Sequence, residues 1–189
     1  MKKLIYIIPG CGEFTKEKKY QRVGSFFKKK GYFVKYADIK WKYRTMSDYV
    51  REFEAKVLKD NPTNFSILGF SFGAMIAFAS VIKLKPKKLF LCSLSPYFKE
   101  DVFKLKSWQK KAVGKKRIQD VENFSFKKLV KNINCKTFLF VGEKELTLVT
   151  ERVKEANKKI RNSKLIIVPN TKHDFGNENY LRCIKDNVV

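Results

Sequence analysis

The 189-residue sequence has one histidine, His173, and only 18 acidic residues against 42 lysines and arginines. Its four cysteines, Cys11, Cys92, Cys135 and Cys183, are scattered without a close pair. That spacing excludes a disulfide framework or a zinc signature and fits a reduced, cytoplasmic protein. No metal or cofactor is called for. No apolar run approaches the roughly 20 residues of a membrane-spanning helix. After Met1-Lys2-Lys3, the apolar stretch Leu4–Ile8 stops at Pro9-Gly10. It falls short of the roughly 7–15 residues of a secretory core and reads as a buried strand. Internal repeats and low-complexity linkers are also missing, so residues 1–189 are expected to form one domain.

What is present is enough to fold. Hydrophobic residues make up 44% and include 17 Phe and 8 Tyr, more than disordered chains carry. The net charge of +24 makes contact with nucleic acid or an anionic membrane conceivable. Lysine is spread over nearly every segment, however, and a functional patch needs charge concentrated on one face. Such contact is therefore not favoured, the expected partner is a small molecule, and the composition leaves the oligomeric state open.

Short apolar runs alternate with longer segments of helical period, the mark of βα units. Strands are expected near Lys3–Pro9, Tyr32–Ala37, Phe65–Gly69, Lys88–Ser93, Thr137–Val141 and Lys164–Val168. Helices are expected near Lys16–Lys30, Ser47–Lys59, Gly73–Lys83, Leu148–Ile160 and Asn177–Lys185. The pattern implies an α/β three-layer sandwich: a mostly parallel six-stranded sheet with helices on both faces. Residues 97–134 break the rhythm and read as a short lid-like segment with two small helices. Seven of the fourteen residues from Lys104 to Arg117 are basic, which makes this stretch the best candidate for a partner surface.

In an open parallel sheet, ligands bind beyond the carboxyl ends of the strands. After the third strand comes Gly69-Phe70-Ser71-Phe72-Gly73, then the helix-forming run Ala74–Ala79. A G-x-S-x-G match between strand and helix lifts a serine hydroxyl out of the sheet, while small flanking residues let neighbouring backbone pass. Serine needs a base, and His173 follows the last strand. Imidazole in turn needs a carboxylate. Gly142-Glu143-Lys144-Glu145 follows the fifth strand; Glu145 is the first choice, Glu143 the rival, and Asp174 is disfavoured because adjacent side chains diverge. Backbone amides of Phe72 and Cys11 are the candidate oxyanion donors. Gly10, Tyr97, Phe98 and Trp108 are the candidate pocket residues, with Phe103 a further aromatic in the same stretch.

On these residues the sequence resembles the α/β-hydrolase superfamily, in particular its small members with a minimal lid. Pro9–Gly12 sits where that family has its oxyanion loop, Gly69–Gly73 resembles its nucleophile elbow, Val141–Glu145 its acid turn, and His173 its histidine. Proline at position 9 and glutamate at the acid turn depart from the commoner residues, and the family's first two strands are missing. The resemblance implies a Ser-His-acid hydrolase that cleaves a carboxylic ester or thioester through an acyl-enzyme. The alternative is a basic binding protein that keeps the scaffold with little or no catalysis.

Overall fold

The computed structural model describes residues 3–188. Strands β1 (Lys3–Ile8), β2 (Tyr32–Tyr36), β3 (Phe65–Phe70), β4 (Lys88–Cys92), β5 (Lys136–Gly142) and β6 (Ser163–Val168) form one sheet in the order β2-β1-β3-β4-β5-β6. All five pairings are parallel. Parallel strands covered on both faces must be apolar on both, and all six residues of β3 are buried. The strand order reverses between β1 and β3, where Ile8 pairs with Gly69. This reversal leaves a crevice at the carboxyl edge where ligands bind in such sheets.

Helices run in chain order as α1 (Lys18–Lys29), α2 (Met46–Asp60), α3 (Phe72–Leu84), α4 (Ser107–Val113), α5 (Lys115–Val121), α6 (Phe126–Val130), α7 (Thr147–Lys159) and α8 (Glu178–Asn187). The two-residue period of the strands divides the core. Ile5, Ile7, Leu68, Phe70, Phe90 and Phe140 face α1 and α8. Tyr6, Ile8, Ile67, Leu89, Leu91 and Leu139 face α2, α3 and α7. Helix α1 is amphipathic and shows its lysines to solvent, whereas α3 is apolar almost all round and lies inside. Among the described residues, no helix is long and apolar enough to cross a membrane.

Residues 97–134 fold into a 3-10 turn (Lys99–Lys104) and three short helices, α4 to α6, where two were expected. The extra break comes at Gly114, whose φ of +89° separates α4 from α5. Several anchors tie this segment down. Phe98 and Phe126 pack on Phe78 of α3. Asp101 pairs with Arg152 of α7, both side chains being 4% exposed. Asp120 accepts hydrogen bonds from the backbone amide and hydroxyl of Ser47, 2.8 and 2.6 Å long.

Candidate active site

At the end of β3 the chain enters α3 through Ser71, with φ 55° and ψ −117°. A β-carbon residue held in this sparsely populated region is strained by about 1–3 kcal/mol and persists only where surrounding structure fixes it. Here the Ser71 amide donates to Cys92 O at 2.8 Å, and its carbonyl accepts from the amides of Ala74 and Met75. The flanking glycines are needed for room. A β-carbon on Gly69 would overlap the carbonyl of Gly73, and one on Gly73 would overlap the carbonyls of Ile8 and Pro9.

His173 Nε2 lies 2.9 Å from Ser71 Oγ, and His173 Nδ1 lies 2.7 Å from Glu145 Oε2. The imidazole packs on Phe70, with ring centroids 4.9 Å apart. Glu145 is gripped from its other oxygen by the hydroxyl of Ser93, which also meets Tyr180 Oη. Burial, followed by the Cys92 field, holds the Tyr180 phenol well above its ordinary range, so it stays a neutral hydrogen-bonding group. Glu143 points elsewhere: its Oε2 accepts from the Asn170 amide at 2.8 Å and steadies the histidine loop. Asp174 is occupied with the Gly176 amide.

Cys11, from the loop after β1, and Phe72 line the same cleft as Ser71 and His173. Among the described residues, neither the Phe72 nor the Cys11 backbone amide donates a hydrogen bond to protein. The Gly10 amide, in contrast, is committed to Tyr20 Oη (2.8 Å) and Glu13 Oε2 (3.2 Å), which fix the shape of the loop. Burial pushes the Cys11 thiol upward, outweighing the opposing pull of Arg117, so its sulfur is kept as a neutral thiol. A protonated thiol is a poor nucleophile, and the backbone amide of the same residue is independent of it.

The cleft has a volume of about 330 Å³. Gly10 and Tyr97 line it as expected, but two aromatic candidates do not. Phe98 is fully buried in the core under α3, held there by Phe78 and Phe126. Trp108 is 61% exposed because α4 turns the next residue, Gln109, into the cleft; one helical step rotates a side chain by about 100°. Phe103 is likewise out in solvent. The basic stretch is mostly solvated, except that Arg117 folds back and donates to Arg44 O (2.9 Å) and Trp41 O (3.0 Å).

Several site residues escaped the sequence reading. Ser95 Oγ lies 3.1 Å from Ser71 Oγ, and Ser93, with φ 50°, turns its hydroxyl to Glu145. Both follow β4, and the rule that pointed to the ends of β3, β5 and β6 could have found them. Glu13, Pro96, Gln109, Leu146, Leu148 and Val149 also line the cleft, without any sequence signature.

With this geometry in view, similarity to known proteins is instructive. No family model and no curated protein sequence matches the chain. Solved structures do. The chain is similar to Est1E from Butyrivibrio proteoclasticus at TM-score 0.82 and 16% identity, over 97% of this chain and 84% of that one. Its similarity to the esterase Pf2001 from Pyrococcus furiosus reaches TM-score 0.72 and 20% identity, over 99% and 80% of the two chains. Mouse alpha/beta hydrolase domain-containing protein 10 follows at 0.74 and 14%, over 98% and 87%. The fold is therefore that of the α/β-hydrolases, in a six-stranded form.

Proposed function

We propose that the protein is a serine hydrolase that cleaves a small carboxylic ester or thioester through an acyl-enzyme on Ser71. The observation that carries this reading is the unbroken hydrogen-bond line from Ser71 Oγ through both nitrogens of His173 to Glu145. A carboxylate at Nδ1 requires the proton there, which leaves Nε2 as the acceptor for the serine proton. Ser95 then donates to Ser71 Oγ.

In the first half-reaction Ser71 Oγ bonds to the substrate carbonyl carbon as its proton passes to His173 Nε2. The carbonyl electron pair moves to oxygen, where the amides of Phe72 and Cys11 receive the charge. Two such preorganised donors are worth about 2.7–4 kcal/mol each. The pair returns, the bond to the alcohol or thiol breaks, and His173 hands its proton to the leaving group. Water, activated by the same nitrogen, repeats the sequence on the acyl-serine and releases the acid. Glu145 stays ionised throughout and holds the imidazolium. Similarity of fold to esterases supports the choice of ester chemistry. In the same reading the chain is one hydrolase unit, and residues 97–134 serve as a short fixed lid whose Tyr97 and Gln109 wall the cleft.

Stopped-flow mixing with p-nitrophenyl butyrate tests this. The expected result is a burst of p-nitrophenol equal to the enzyme concentration, absent from Ser71→Ala and His173→Ala proteins. Turnover that survives in Ser71→Ala would overturn the reading.

A further inference from the structure

The cleft next to Ser71 is walled largely by apolar groups: Phe70, Phe72, Pro96, Leu146, Leu148 and Val149. Gln109 stands out against them. It is 7% exposed, and its Oε1 accepts from the Lys106 amide at 2.8 Å, which fixes the orientation of the side-chain amide because a backbone N–H demands an oxygen. Nε2 is then left with two N–H groups and no protein acceptor. Tyr36 Oη and Ser80 Oγ are the side-chain polar atoms that the described residues bury without a partner, and Gln109 Nε2 is not among them. The atom therefore keeps some accessible surface, and the residue it belongs to lines the cleft. A donor that water can reach pays no such cost in the open cleft, but a substrate that displaces the water must supply an acceptor or leave the donor unpaired.

We infer that Gln109 Nε2 is a specificity-determining donor, so that the preferred substrate carries an ether, hydroxyl or carbonyl oxygen on the group lodged beside α4. This rests on the hydrolase reading and narrows its substrate class to oxygen-bearing esters. Tyr97 is a further polar wall residue beside Glu13 and Ser95: its hydroxyl has no protein partner among the described residues, and its ring packs on Phe72 with centroids 5.2 Å apart. A site built to hydrogen-bond an oxygen discriminates against the methylene analogue because the analogue leaves the donor unpaired.

The test compares p-nitrophenyl ethoxyacetate with p-nitrophenyl pentanoate, acyl groups of equal length that differ by an oxygen in place of a methylene. The diagnostic variant is Gln109→Glu, which keeps the acceptor for the Lys106 amide and removes the donor; Gln109→Leu is the second. The ratio of kcat/KM for the ether over the plain ester should fall about tenfold in both, relative to wild type, and taking the ratio within each protein cancels any general damage. In the Ser71→Ala background, where no turnover is needed, the ether ester should bind about tenfold tighter than the plain one, with the preference lost on adding Gln109→Glu. Turnover with a ratio that ignores Gln109 overturns the specificity inference and leaves the hydrolase. Absent turnover with a Gln109-dependent binding preference overturns the hydrolase and leaves the subsite. Absence of both overturns both.

Discussion

His173 Nδ1 stands 2.7 Å from Glu145 Oε2, and the two side chains differ sharply in environment: the imidazole is 41% exposed and the carboxylate wholly buried. A buried carboxylate is tolerable only if its oxygens are occupied, and here His173 takes one and Ser93 the other. The carboxylate is thus held rigidly, and the imidazole it orients remains open to solvent.

Glu145→Gln should lower kcat by about 10³–10⁴, since an amide can present its N–H to Nδ1 and favour the wrong tautomer. Glu143→Gln should leave most of the turnover intact, because that side chain serves the Asn170 amide. Steady-state kinetics on p-nitrophenyl butyrate with both proteins decides; the reverse ranking would move the acid role to Glu143.

Ser93→Ala removes the hydroxyl that grips Glu145 from behind. Hydrogen bonds to charged groups are worth about 1.5–3 kcal/mol, so kcat should drop about ten- to a hundredfold without loss of fold, as judged by circular dichroism. Tyr180→Phe, one step further from the acid, should act in the same direction and more weakly.

The strand ends were readable because chemistry at an open sheet edge follows topology: a glycine-flanked serine after β3, the sole histidine after β6 and an acid after β5 needed only element order to bring them together. What could not be read was orientation within residues 97–134. Phe98 and Trp108 look alike as aromatic wall candidates, yet Phe98 goes under α3 and Trp108 into solvent, because short helices there are fixed by long-range anchors such as Arg152. Gln109 had no signature at all, since its orientation depends on a cap bond to Lys106. Arg117 belongs by sequence to the basic stretch, yet it caps two carbonyls of the β2–α2 loop.

Arg152→Ala should destabilise the protein by about 3–5 kcal/mol, because it strands the buried Asp101 carboxylate and removes the guanidinium packed 3.9 Å from the Phe126 ring centre. Urea unfolding measures this. The double variant Arg152→Met with Asp101→Leu should recover most of the loss, as no buried charge is left behind.

Acid should loosen residues 97–134. Burial pushes the Glu100 carboxyl upward, but hydrogen bonds from Ser125 and the Phe126 and Lys127 amides outweigh it and hold the group below its ordinary value. A lowered folded pKa means stability that is fully present above the unfolded value of about 4.3 and lost as pH falls through the folded one. The protection factors of the α6 amides, taken after dividing out the intrinsic pH dependence of exchange, should therefore fall below about pH 4, and Glu100→Gln should flatten that dependence.

The nucleophile itself is tested most directly by a fluorophosphonate, which reacts with an activated serine and needs no knowledge of the natural substrate. Intact-mass and peptide analysis of the wild-type protein should show one adduct on the peptide carrying Ser71, and none with Ser71→Ala or His173→Ala. A folded wild-type protein that takes no label, or a label that persists in Ser71→Ala, would contradict the account.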